Sequence, residues 1–233
     1  MKRNLRILLS ITAASLASAR ADTIALWTFE SPNAPATITG STITGILPAV
    51  GSGTASGVHA SASTDFSSKV GNGSASALDA TRWAAGDYWQ FRVSTVGFAQ
   101  IQLSFDQTAF DNGPTNFNLL ISTDGVNFET ALAFYGVLRN STGFGGGGTL
   151  WNPTTQVSAY TRLVDLSAFT SLDDSPDVYF RLVDNITSPS MFQATAYGRI
   201  DNFEVTGTPV PEPSVVALGA GLLLAMALRR RWR

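Results

Sequence analysis

NFNLLISTDGVNFETALAF, residues 116–134, has the pattern of two β-strands joined by a tight turn. Two apolar-rich runs, 116–122 and 126–134, flank Thr123-Asp124-Gly125. Asp-Gly between two such runs is a strong local signal for a β-hairpin, because the tight turns that join twisted strands need positive φ. Just upstream, QIQLSFDQ (100–107) alternates cleanly, with Ile101, Leu103 and Phe105 on one face. YWQFRV (88–93), DVYFRLV (177–183), IALWTFE (24–30), residues 162–166 and GRIDNFEVT (198–206) are further short runs of strand character. No run has helical length and period. Many short strands separated by turn residues predict an all-β protein, a β-sandwich. The roughly 190 residues concerned suffice for about eight to ten strands around one core.

Residues 31–80 read differently. They are rich in Ser, Thr, Ala and Gly and hold only three charged residues, Asp65, Lys69 and Asp79. A strand is expected over 37–44, and the remainder is expected to be long loop. The run Gly145–Gly148 is a second flexible stretch and lacks the Lys-Ser or Lys-Thr of a phosphate loop.

The chain of 233 residues has no Cys and a single His. That excludes disulfide scaffolds, Cys-ligated zinc, iron–sulfur clusters and thiol nucleophiles. His59 lies in a Ser/Gly-rich stretch and is expected to be an exposed loop residue rather than part of a triad. Between residues 22 and 210 there are 16 Asp and Glu against 7 Lys and Arg, a formal net charge of −9. Such a surface argues against nucleic acid as a partner.

The ends carry the missing positive charge. Lys2, Arg3 and Arg6 precede an apolar run, Ile7–Leu16, and then Ala17-Ser18-Ala19 and Ala19-Arg20-Ala21. This order is that of a secretory signal peptide, 1–21, read by the Sec translocon. At the other end, residues 209–233 hold Val210-Pro211-Glu212-Pro213, an uncharged run over 215–228, and a basic cluster of Arg229, Arg230, Arg231 and Arg233. As a helix the 14-residue run would be about 21 Å long, short of the roughly 30 Å hydrocarbon core. Trp232 and snorkelling arginines would make up part of the difference. The basic cluster would stay cytoplasmic, leaving the preceding domain outside.

This tripartite tail resembles the PEP-CTERM sorting signal of Gram-negative bacteria. The resemblance implies an exosortase-type processing enzyme as a partner and transient anchoring in the inner membrane. The destination it implies is the cell surface or the exopolysaccharide matrix. Residues 22–208 would then be the exported domain.

That domain has a second resemblance. Phe29-Glu30 closes the opening strand and Ile200-Asp201-Asn202 lies in the last one. Ser122–Phe128, Val164–Ser167 and Phe180-Arg181-Leu182 fall between them. In this order they resemble jelly-roll domains of the MAM, laminin-G-like and carbohydrate-binding families. The resemblance implies a jelly-roll-like β-sandwich and a non-catalytic structural or adhesive role. The alternative is a carbohydrate-binding module or carbohydrate-active enzyme. It also implies a structural Ca²⁺ held by Glu30 and Asp201; Ca²⁺ takes six to eight oxygens, and the other reading makes these acids strand-end residues or partners of Arg82 or Arg199. For binding extracellular polysaccharide, Trp83 and Trp151 lie in expected loops and are the candidate exposed stacking residues. Trp89 is expected in the core.

Overall fold

The computed structural model describes residues 20–143, 145–186 and 194–210. Its strands are β1 (Asp22–Trp27), β2 (Ile38–Thr39), β3 (Thr42–Ile46), β4 (Val50–Gly51), β5 (Thr54–Val58), β6 (Asp65–Lys69) and β7 (Ala77–Ala80). They continue as β8 (Tyr88–Val93), β9 (Phe98–Asp111), β10 (Asn116–Ser122), β11 (Glu129–Gly136), β12 (Thr161–Asp165), β13 (Val178–Asp184) and β14 (Ala196–Pro209). The strands form two antiparallel sheets. One, of eight strands, runs β12-β9-β14-β7-β6-β2, with β1 paired to β14 and β4 paired to β1. The other, of six, runs β11-β10-β13-β8-β5-β3. The expected signal peptide falls outside the described residues up to position 19. Pro211, Glu212, Pro213, the apolar run and Arg229, Arg230, Arg231 and Arg233 also lie outside them.

Strand alternation puts one set of side chains between the sheets. The six-stranded sheet contributes Trp89, Phe91, Phe117, Leu119, Ile121, Phe180 and Leu182; the other contributes Trp27, Ile101, Leu103, Phe105, Ile200, Phe203 and Val205, all buried. Phe91 of β8 stacks on Phe203 of β14 at 3.5 Å and 2° between planes. Trp27 meets Phe91 edge-on at 5.2 Å. Each such ring removes roughly 1.5–3 kcal/mol worth of apolar surface from water.

The long loop expected over residues 31–80 is broken by six strands, β2 to β7, and the strand expected over 37–44 is split into β2 and β3. In β5 and β7 small side chains hide the alternation, and the neighbouring tryptophans explain why they are small. Gly57 pairs with Trp89, and a Cβ there would meet the Trp89 ring at 2.5 Å and Phe66 at 2.8 Å. Ala55, Ala77 and Ala80 are likewise fully buried.

The hairpin at 116–136 forms as expected, with a longer turn than Asp-Gly alone. Asp124 Oδ1 accepts from the Val126 and Asn127 amides at 2.8 and 2.7 Å and from Ser122 Oγ at 2.8 Å. Gly125 supplies the positive φ of 72°. The Asn127 side chain, donating Nδ2 to Oδ2 at 2.7 Å, and then these bonds hold the Asp124 carboxyl well below its ordinary pKa.

β14 is two strands' worth of chain joined by a bulge. Gly198–Ile200 pairs with β7, and Phe203–Gly207 pairs with β1. The register against β9 shifts between Asp201 and Glu204. Asn202 takes φ 48° there, a left-handed conformation that Asn tolerates better than most residues. The extra residue lets Ile200 and Phe203 both enter the core while Asp201 turns to the other face.

Candidate functional site

The bulge builds a polar cluster on the outward face of the eight-stranded sheet. Asp201 stands opposite Asp106 of β9, and both are fully buried. Asp201 Oδ2 accepts from the Asn72 amide at 2.8 Å and Ser74 Oγ at 2.6 Å, while Oδ1 accepts from the Asn202 amide at 2.8 Å. Asp106 Oδ2 accepts from Gln156 Nε2 at 2.8 Å and Asn202 Nδ2 at 2.9 Å, and Oδ1 from Thr161 Oγ1 at 2.5 Å. Burial pushes the Asp201 carboxyl up to about 7, and the Asp106 charge adds to this.

Two connections roof this cluster. Asn72 exchanges bonds with the Val157 backbone, Nδ2 to O at 3.1 Å and amide to Oδ1 at 2.8 Å. The Gly73 amide donates to Asn152 O at 2.9 Å. The β6–β7 turn is thereby tied to the long β11–β12 connection. An open groove of about 640 Å³ remains beside them, lined by Asn72, Ser104, Gln156, Leu163, Asn202 and Glu204.

Glu30 and Asp201 reach the same turn. Glu30 Oε1 accepts from the Ser76 amide at 2.7 Å, and Ser74 Oγ donates to both Ser76 O and Asp201 Oδ2. The opening and closing segments of the domain are thus joined through residues 74–76. Every Asp201 oxygen already accepts a protein N–H or O–H. Among the described residues no three His, Asp or Glu gather as a metal-holding group. Arg199 pairs instead with buried Asp79, Nε to Oδ1 at 2.7 Å.

Trp83 and Trp151 are not exposed. Trp83 is 0% exposed, donates Nε1 to Ala80 O at 2.9 Å, and packs against Trp89 at 5.1 Å and His59 at 4.3 Å. Trp151 is 5% exposed and packs with Ala77 and Tyr160 in a small second cluster over the outward sheet face. Neither ring offers a face to a sugar. Loop position misleads here because the large apolar area of an indole draws its loop inward.

His59 is also buried. It follows β5 and lies beside Asp87, which precedes β8; the amide of Asp184, at the end of β13, donates to Asp87 O at 2.8 Å. Its Nδ1 lies 3.3 Å from both Asp87 Oδ2 and Thr64 Oγ1. Among the described residues Nε2 makes no hydrogen bond. Burial drives His59 down to about 3 and pushes Asp87 up to about 6. Burial, and then the charge of Asp87, pushes Asp184 up to about 7. Of these the sequence singled out only His59, because an acid at the end of a core-facing row looks like any strand-end acid.

No family model matches the chain, and no curated protein matches it. Solved structures do. The chain is similar to the K2 cleaved adhesin domain of Lys-gingipain at 16% identity, covering 79% of this chain and 97% of that one, with a TM-score of 0.41. It is similar to the CBM22-2 xylan-binding domain of Paenibacillus barcinonensis Xyn10C at 15% identity, covering 78% and 98%, with a TM-score of 0.38. The N-terminal cellulose-binding domain of Cellulomonas fimi β-1,4-glucanase C matches at 17% identity over 58% and 80%, with a TM-score of 0.30. All three TM-scores fall below 0.5, and these likenesses carry no argument about function.

Proposed function

We propose that this is an exported protein sorted by an exosortase-type enzyme, whose jelly-roll-like sandwich is a non-catalytic structural or adhesive component of an exopolysaccharide matrix. The observation that carries the reading is the order of the tail. Val210-Pro211-Glu212-Pro213 is followed by the uncharged run 215–228 and then by Arg229–Arg231 and Arg233. Its place relative to the domain supports this. β14 ends at Pro209, the Val210 amide donates to Gly97 O at 2.8 Å, and Val210 is 46% exposed. The motif therefore begins at the surface where the last strand ends.

The non-catalytic part of the reading rests on the facing carboxylates. Asp106 and Asp201 have the cross-strand proximity that general acid–base work needs. They are fully buried, however, and each oxygen is taken by a protein donor. A structural Ca²⁺ at Glu30 and Asp201 belongs to the same proposal; it would have to share or displace the Asn72, Ser74 and Asn202 donors on Asp201 and the Ser76 amide on Glu30, and it has its own test below. The reading predicts that Glu212→Ala leaves the protein in the inner-membrane fraction while the wild type leaves it. Release of the variant to the wild-type extent would remove the sorting reading.

A further inference from the structure

The outward face of the six-stranded sheet differs from the rest of this acidic domain. Its central strands β8 and β13 turn Tyr88, Gln90 and Arg92, and Tyr179 and Arg181, away from the core. β5 turns out Thr54, Ser56 and Val58, and β10 turns out Asn118 and Leu120. None of these outward positions on β5, β8, β10 and β13 is Asp or Glu, although residues 22–210 carry 16 of them; the acids beside them are Asp177, paired with Arg92, and Glu129 at the start of edge strand β11.

Arg181 stands at the centre of that face. Its guanidinium lies 3.8 Å from the Phe128 ring centre and 4.1 Å from that of Tyr88. Nε and Nη2 donate to Gln90 Oε1 at 3.0 and 2.6 Å. The group is held flat and oriented, between two aromatic walls, by a neutral acceptor. Arg92 and Arg199 each pair with a carboxylate. Arg181 pairs with none among the described residues. Burial pulls its pKa below the ordinary arginine value. A partly desolvated guanidinium without a counter-charge is unfavourable in the free protein. Its Nε–Nη2 edge is taken by Gln90, which leaves the Nη1–Nη2 end to meet a carboxylate, and flanking rings fit the apolar faces of sugars.

We propose that this face binds a polysaccharide bearing carboxylate groups, a uronic-acid polymer. Arg181 takes the carboxylate, and Tyr88, Phe128 and Tyr179 take the sugar rings. The inference rests on the matrix reading above and names the chemistry of the glycan. The net charge of −9 does not forbid it, because charges beyond roughly 8 Å are largely screened at physiological salt. It would instead reject polyanions that cannot reach the Arg181 slot.

The test uses the full chain in detergent, with polygalacturonate as the probe and its methyl ester as the uncharged control, read by affinity electrophoresis. The expected result is retardation by polygalacturonate that weakens with added salt, little retardation by the ester, and about tenfold weaker binding for Arg181→Gln. Melting curves confirm that the variant is folded. The ester comparison needs only the wild type and holds even if the variant is not. Equal binding of polymer and ester overturns the carboxylate assignment and leaves a matrix-glycan role standing. No retardation by either polymer overturns the inference outright, whereas the sorting reading fails only if the native protein stays in the membrane. Wild-type binding by a folded Arg181→Gln protein also overturns it.

Discussion

Lowering the pH from 7.5 to 5.5 should make this domain more stable, against the usual expectation for acidic proteins. Burial pushes Asp201 and Asp184 up to about 7 and Asp87 up to about 6. An acid whose pKa is raised on folding binds a proton in the folded state before it would in the unfolded chain. Its contribution is greatest below the unfolded value near 4 and is lost as pH rises through the folded one. His59 acts in the opposite sense. Its pKa falls to about 3 on folding, so below roughly 6.5 the unfolded chain gains a proton that the folded one refuses. At pH 6 the three acids hold roughly 2.3 protons folded, and an unfolded His holds roughly 0.8. The folded state is ahead by roughly 1.5 protons, which corresponds to roughly 2 kcal/mol per pH unit. With a urea slope of about 2 kcal/mol per M, the midpoint should rise by about 1 M for each unit of acidification. Asp79, also pushed upward by burial, adds in the same sense. The assay is urea unfolding followed by tryptophan fluorescence, in metal-free buffer at pH 7.5, 6.5 and 5.5. A midpoint that is flat or falls on acidification would refute the assignment of these carboxyls as buried, proton-holding groups.

Phe203→Ala removes the ring that stacks on Phe91 at 3.5 Å and should cost about 3–5 kcal/mol, read as a lower urea midpoint with little change in slope. The Ca²⁺ proposal for Glu30 and Asp201 predicts that EDTA lowers the Tm of protein purified with calcium, and that Asp201→Asn abolishes this response. An unchanged Tm with EDTA ends that proposal.

The strands were legible where alternation is written in large side chains. Residues 88–93 and 116–122 coincide with β8 and β10, because Trp89, Phe91, Phe117, Leu119 and Ile121 mark one face unmistakably. β5 and β7 were not legible, because core positions there are held by residues such as Ala55, Gly57 and Ala80, and small residues carry no period. β3, with Ile43 and Ile46 in the core, overlaps the strand expected over 37–44. Glu30 lies past the end of β1, which stops at Trp27 rather than at the expected Phe29-Glu30, and Asp201 lies in β14. Their real link runs through Ser74 and Ser76, and Asn72 of the same turn gave no signal in a Ser/Gly-rich stretch. The tryptophans misled because exposure was inferred from loop position. The Arg181 slot was present in the alternation of Tyr88-Trp89-Gln90 and Tyr179-Phe180-Arg181. Only the pairing of β13 with β8, which sets Arg181 against Gln90, shows that these outward residues share one face.

If the tail is a sorting signal for export, intact mass of the native protein from envelope and matrix fractions gives a form beginning near Arg20 or Asp22 and ending near Pro211, outside the cell. A form that retains Val215–Arg233 and stays in the inner membrane would contradict it.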